Sequence, residues 1–114
     1  MALHHATSGE VIRLQASDGT IALAKTPSFE TIHLVVKAGE SIPVHKVAGA
    51  MTLYCIQGAV TIELGGKEAQ MGMGHWLYLD PGVPHALRGE VDSTLLLTIL
   101  FDHATGDAVD GARV

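Results

Sequence analysis

The stretch GESIPVHKVAGAMTLYCIQGAV, residues 39–60, decides the fold class. It contains two short runs of β-branched and aliphatic residues, and glycines lie at both boundaries of the second run. Runs of this length and composition, bounded by glycine and proline, are typical of β-strands. The stretch also holds one histidine, His45, shortly after Pro43, and burying an imidazole without a partner costs free energy. We therefore predict strands here and single out His45 as a candidate functional residue.

The same pattern continues in both directions along the chain. Asp18-Gly19, between VIRLQ and TIALAK, and Gly65-Gly66, between VTIEL and KEAQM, are typical two-residue hairpin turns. VTIEL alternates apolar and polar residues, whereas TLYCIQ (52–57) and TLLLTILF (94–101) are apolar on both faces. Because no apolar set recurs at helical spacing, we predict an all-β barrel or sandwich.

The bulk composition limits the classes of partner. The 114 residues predict one domain, with a barrel core at about 10–101 and flexible ends at 1–9 and 102–114. A formal net charge of −5 argues against nucleic acid and against anionic membrane surfaces as partners. The single cysteine, Cys55, excludes an internal disulfide and fits a reducing compartment. With no secretion signal or membrane span in the sequence, we expect a cytoplasmic protein.

A second histidine has the same setting as His45. In HWLYLDPGVPHAL, residues 75–87, a turn built on Asp80, Pro81 and Gly82 is followed by Pro84 and then His85. Proline has no N–H to donate, so it suits the entry of a strand and gives the next residue a defined direction. His45 and His85 thus each enter a predicted strand within two positions of a proline.

Together the two segments resemble the motifs of a small single-domain cupin, a jelly-roll barrel also described as a double-stranded β-helix. The family's first motif fits from Gly39 through His45 to Gly58, and its second fits Gly82 and His85. The resemblance implies two Greek keys closed around a cavity lined by side chains. It also implies a homodimer, which would cover the strands that are apolar on both faces.

The resemblance further implies a metal site that this chain has altered. In the family, two histidines and a glutamate from the first motif and one histidine from the second hold the ion. His45 and His85 match, but Val47 and Met51 occupy the positions of the other histidine and the glutamate. Valine cannot ligate, and a thioether is a poor ligand for iron, manganese, zinc or nickel. His45, His85 and Met51 would instead be a soft set suited to copper(I).

We therefore predict a small-molecule-binding cupin without a complete metal site, and we leave open whether it is an enzyme. The two imidazoles would orient the polar end of a small organic ligand, and one of them could act as a general acid or base. The proposed pocket comprises His45, Val47, Met51, Leu53, Cys55 and His85.

Two alternatives remain. One is a metal-dependent dioxygenase, isomerase or decarboxylase that takes a further ligand from His33, His75, His103 or Asp80. The other is a degenerate barrel that serves a protein interaction.

Three other positions carry separate expectations. His33 shares a predicted strand face with Lys37, so we expect it to be solvated. Cys55 has no neighbour that would stabilise a thiolate, so we expect a buried, inert thiol. Trp76 and Tyr78 alternate with leucines, and the sequence does not decide which set faces inward.

Overall fold

The computed structural model, which describes residues 5–15, 18–45 and 47–101, shows two antiparallel β-sheets. The strands of this part of the chain are β1 (Ile21–Lys25), β2 (Phe29–Val36), β3 (Ser41–His45), β4 (Met51–Gln57), β5 (Ala59–Leu64), β6 (Lys67–Gly72), β7 (Trp76–Leu79), β8 (His85–Gly89) and β9 (Ser93–Leu100). One sheet has the order β1-β2-β9-β4-β7, and the other has the order β3-β8-β5-β6. Successive strands repeatedly cross between the sheets, as in a jelly roll, so the predicted fold class is confirmed. No helix in the described ranges is long and apolar enough to cross a membrane.

Glycines make the tight turns that the fold requires. Gly65 and Gly66, both at positive φ, join β5 to β6 as predicted. Gly58, at φ 95°, joins β4 to β5, and a Cβ there would lie 2.6 Å from the carbonyl oxygen of Asp92. This position therefore requires glycine for its conformation and for the space around it.

The hairpin predicted at Asp18-Gly19 is wrong. Residues 11–15 are not a strand, and Val11 is 94% exposed. Gln15 and Asp18 instead close a local turn, in which the Gln15 N–H donates to Asp18 Oδ2 at 3.1 Å. VIRLQ belongs to neither sheet, and without a partner strand the alternating pattern does not form a strand.

One end of the barrel is filled, and we call it the closed end. Val36, Cys55 and Leu95 are 0% exposed there, and Val60 is 1% exposed. Burial then decreases along β9, from buried Ser93 and Leu95 to half-buried Leu97 and Ile99. We call the end reached by Ile99 and Leu100 the open end.

In β7 the leucines face inward, and the aromatic residues lie on the outer face of the five-stranded sheet. Trp76 and Tyr78 are 62% and 49% exposed, whereas Leu79 is buried and Leu77 packs against the core. Tyr54 and Leu100 are exposed as well. These side chains give the sheet an apolar outer surface, and the homodimer stays a prediction.

Candidate functional site

A cavity of about 180 Å³ lies between the two sheets. Seven apolar residues and one imidazole line it: Leu34, Ile42, Met51, Leu53, Ile62, Leu87, Leu97 and His85. A pocket with mostly apolar walls and a single polar side chain suits a small organic ligand whose body is apolar.

The strand register explains why these residues converge. Leu53 is paired with Leu97 across β4 and β9, and Met51 lies two residues before Leu53 on the same face. On the other sheet, Leu87 is paired with both Ile42 and Ile62, so this trio forms the facing wall. The predicted wall residues Met51 and Leu53 therefore border the cavity together with His85.

His85 is the first residue of β8 and is only 5% exposed. Its Nδ1 lies 3.0 Å from the carbonyl oxygen of Val83, and a carbonyl only accepts, so Nδ1 carries the proton and donates it. In the neutral ring, Nε2 is then the acceptor atom. The turn before β8 thus fixes both the direction and the tautomer of the ring.

His45 lies opposite His85 in the sheet. The two residues are Cα partners between β3 and β8, beyond a register irregularity between Ile42 and His45. The side chain of His45 lies outside the described residues. Residues distant in sequence are therefore neighbours in the backbone pairing, as the pocket prediction requires.

Two predicted pocket residues are not among the residues that line the cavity. Val47 belongs to the segment between β3 and β4, where its carbonyl accepts the Gly82 N–H at 2.8 Å. Cys55 belongs to the closed-end core and is 0% exposed. Its thiol lies 3.5 Å from the Gln57 carbonyl oxygen, and burial raises the pKa of the Cys55 thiol. The prediction of a buried thiol is confirmed, and such a thiol is a weak nucleophile.

A second depression, of about 220 Å³, is a weaker candidate. It lies on the outer face of the four-stranded sheet and includes Ser41, Glu63 and Arg88. Its one cation, Arg88, is already paired with Glu90 at 3.1 Å. The cavity between the sheets is smaller but better enclosed, so we take it as the candidate site.

Comparison with known proteins agrees with this architecture. The model of the cupin domain matches residues 32–101, which is well over half of the chain. The chain belongs to the cupin family. A comparison with functionally curated proteins gave no match.

Solved cupin structures of different kinds resemble this one. A cupin superfamily protein from Desulfitobacterium hafniense has a TM-score of 0.75 at 19% identity, covering 90% of this chain and 100% of that one. A conserved protein of unknown function from Streptococcus pyogenes has a TM-score of 0.73 at 16% identity, covering 90% and 96%. A variant of salicylate 1,2-dioxygenase from Pseudoaminobacter salicylatoxidans has a TM-score of 0.67 at 16% identity, covering 79% and 27%. At these identities the likeness shows the fold alone.

The metal site that the family motif implies would include His45, whose side chain lies outside the described residues. No three His, Cys, Asp or Glu residues in the described ranges are grouped as metal ligands. Met51 lines the cavity where the motif has a carboxylate, and its thioether is a poor partner for hard or borderline ions.

Two of the further ligands considered from the sequence, His75 and Asp80, are not among the residues that line the cavity. His75 is exposed, and its Nδ1 accepts the Gly72 N–H at 2.8 Å. Asp80 is exposed and accepts a hydrogen bond from Tyr78 at 2.5 Å, which raises the pKa of Tyr78. His103 lies outside the described residues.

The prediction that His33 is solvated is wrong, because its side chain is 0% exposed. Its Nδ1 lies 2.8 Å from the Gly19 carbonyl oxygen, and the Thr20 hydroxyl accepts the Val35 N–H at 2.9 Å. The segment that enters β1 therefore covers this part of β2. The ring shares a sheet face with Thr31 and Val35, which is opposite to the face of the cavity-lining Leu34.

Sequence reasoning missed one charged residue that shares the sheet face of the cavity-lining Met51. Glu30 is paired with Ile99, and Ile99 is paired with Met51, in ladders without irregularities over these positions. Glu30 therefore lies on the sheet face that carries Met51, at the open end. A signal was present, because Glu30 has the same parity as Ile32, Leu34 and Val36 in FETIHLVV.

Proposed function

We propose that this cupin binds a small organic molecule in the cavity between its sheets, and that His85, with His45, orients the polar end of that molecule. The observation that carries the proposal is the lining of the cavity, where the His85 imidazole is the polar side chain among seven apolar ones. Such a lining gives affinity through the apolar walls and orientation through the ring.

The size and polarity of the cavity suit a ligand with a compact apolar body. Burying a group the size of a leucine or phenylalanine side chain contributes about 1.5–3 kcal/mol. A hydrogen bond to a buried neutral group adds about 1 kcal/mol, and leaving the group unpaired costs more than that. The apolar body therefore supplies most of the affinity, and the imidazole supplies the selectivity.

The proposal is tested by removing the imidazole and measuring ligand-induced stabilisation. Benzyl alcohol is a suitable probe because it has a compact apolar ring and one hydroxyl. We expect it to raise the thermal midpoint of the wild type, and we expect His85→Ala to lose most of that increase. His75→Ala is the matched control, because His75 is an exposed imidazole outside the cavity lining. An equal response of both variants would contradict the proposed site.

The second candidate function is a metal-dependent enzyme, and it is favoured by one observation. His45 and His85 are partners in the β3–β8 ladder, which brings two potential ligands to neighbouring backbone positions. Because the remaining motif positions are Val47 and Met51, this function would need a ligand from elsewhere.

Two measurements separate the candidates. Elemental analysis of protein purified without a histidine tag, after supplementation with iron, manganese, zinc, nickel and copper, should give sub-stoichiometric metal. Stoichiometric metal would instead support the enzyme. The second measurement uses the double variant Val47→His, Met51→Glu. Added metal should stabilise this variant by about 2.7 kcal/mol when the metal is in hundredfold excess over Kd. Absence of that gain would mean that these two positions do not converge with the histidines.

A further inference from the structure

We infer that Met51 selects the body of the ligand, so that it biases this cavity toward an aromatic ring over a saturated ring of the same size. The inference rests on the proposed function, since it names a ligand class for the same cavity. Met51 acts in it as a specificity residue, through contact of its thioether with the edge of the ring.

The first step is that Met51 is fixed in the wall of the cavity. It lines the cavity and is 3% exposed. It is the first residue of β4, which lies between β9 and β7 in the sheet. Its backbone position is paired with Ile99 on one side and with Leu79 on the other. Pairing on both sides fixes the direction of the Cα–Cβ bond, so the side chain stays on the cavity face.

The second step is that most of the other lining residues do not distinguish one type of ring from another. Six of the eight are leucine or isoleucine. Saturated side chains of this kind attract both types of ring through dispersion and the hydrophobic effect. No Asp, Glu, Lys or Arg is among the eight, so the lining favours an uncharged body. Met51 and His85 are therefore the lining residues that can select between rings.

The third step is the chemistry of the thioether. Sulfur is highly polarizable, and methionine makes favourable contacts with aromatic rings, often at the ring edge. A saturated ring lacks the positive edge and the negative face that an aromatic ring has. The sulfur contact changes an affinity about two- to tenfold. Methionine thus supplies a selectivity that leucine at the same position does not.

The fourth step is the size of the cavity. Its volume is about 180 Å³, and an apolar cavity of about 150 Å³ holds a benzene molecule. A single six-membered ring with a short head group therefore fits, which limits the class to monocyclic molecules. A ring that fills most of this space contacts the side chains around it, and Met51 is one of them.

The experiment compares two alcohols that share a head group and a number of heavy atoms: benzyl alcohol and cyclohexylmethanol. Because the heads are identical, their hydrogen bonds cancel in the ratio of the two affinities. Binding is measured by calorimetry on the wild type, Met51→Leu and Met71→Leu. Met71 is the matched control, because it is buried in the core cluster and does not line the cavity. Exchanging methionine for leucine nearly conserves volume, so both variants keep their packing.

We expect Met51→Leu to shift the ratio of affinities about fivefold toward cyclohexylmethanol, and Met71→Leu to leave the ratio unchanged. The change between protein variants is the decisive quantity, because the transfer free energies of the two alcohols out of water cancel in it. Retained affinity of Met51→Leu for cyclohexylmethanol shows that the cavity is intact in this variant.

A spectroscopic measurement tests the contact itself. The ring current of benzyl alcohol should shift the NMR signal of the Met51 ε-methyl group, and cyclohexylmethanol has no ring current. The Met51 signal is assigned by its absence from the spectrum of Met51→Leu. The signal of the Met71 methyl group should keep its position. A Met51 signal that both alcohols move equally would contradict the contact.

The outcomes distinguish this inference from the function on which it rests. If both alcohols bind the wild type and His85→Ala abolishes that binding, but Met51→Leu leaves the ratio unchanged, the inference about Met51 is overturned alone. An equal shift of the ratio in Met51→Leu and Met71→Leu would assign the preference to general packing and would overturn the inference as well. If neither alcohol binds the wild type, the inference and the proposed function are both overturned.

Discussion

The two ends of the barrel differ in what they place between the sheets. At the closed end, Leu95, Cys55 and Val36 are fully buried and pack into one apolar cluster. Toward the open end, the same strands leave a cavity that reaches His85. The two ends share strands β2, β4 and β9, so the difference arises from side chains rather than from topology.

This contrast indicates a division between stability and binding. Truncating a packed apolar side chain lowers the free energy of unfolding more when that side chain makes more contacts. Side chains that line an existing cavity make fewer contacts, so substituting them costs less stability. Under the proposed function, their identity could therefore be set by the ligand. The predictions below test that division, beginning with the largest expected effect.

Truncating a leucine should cost far more at the closed end than beside the cavity. Leu95→Ala removes a fully buried side chain, and we expect a loss of about 3–4 kcal/mol in the free energy of unfolding. Leu97→Ala, two residues along the same strand, removes a half-buried cavity-lining side chain and should cost about 1–2 kcal/mol. Urea denaturation of both variants measures the difference. Equal losses would show that the two ends are packed alike.

The two glycines at the ends of the first motif should differ in the same assay. Gly58→Ala combines an unfavourable positive φ with a clash against Asp92 and Ser93, and we expect a loss of about 3 kcal/mol. Gly39→Ala has a similar φ of 79° but nothing within 4 Å of the added Cβ, so it should cost about 1 kcal/mol. A cost for Gly39→Ala as large as that for Gly58→Ala would mean that backbone strain, not the contact with β9, dominates.

The smallest effect concerns the acid sensitivity of the closed end. The Thr61 hydroxyl donates to Glu90 at 2.6 Å, and this bond, followed by those from Arg88, lowers the pKa of the Glu90 carboxyl. A lowered pKa in the folded state adds stability above the unfolded pKa, and this stability is lost as the pH falls through the folded pKa.

Thr61→Val should therefore be less stable than wild type at pH 7, and the pH-dependent part of that difference should vanish in strong acid. Denaturation at several pH values, with an NMR titration of Glu90, measures both effects. In a Glu90→Gln background the same substitution should cost equally at every pH. A stability difference that still varies with pH in that background would assign the effect to another group.

The features that could be predicted from the sequence were those with a local cause. Gly65-Gly66 fixes a hairpin because only the residues of the turn need a particular φ. The prolines before His85 fix the start of β8 in the same way. The pattern of VIRLQ failed because alternation predicts a strand only if another strand is there to pair with it.

The features that the sequence did not reveal depend on which strands are neighbours. His33 is buried because the segment at Gly19 and Thr20 lies over it, and no local pattern encodes that contact. Glu30 could be assigned to the sheet face of Met51 only from the pairing of β2 with β9 and of β9 with β4. Side-chain parity was visible in the sequence, but the partners were not.

The decrease in burial along β9 has a consequence for how a guest molecule would enter. The amide protons near Ser93 lie at the buried closed end, and those near Leu100 lie at the open end. Hydrogen exchange should therefore become steadily faster from Ser93 to Leu100. Under the proposed function, a ligand would enter by fraying of the last few residue pairs of this strand. Under the proposed function, ligand exchange would leave the pairing at Ser93 intact.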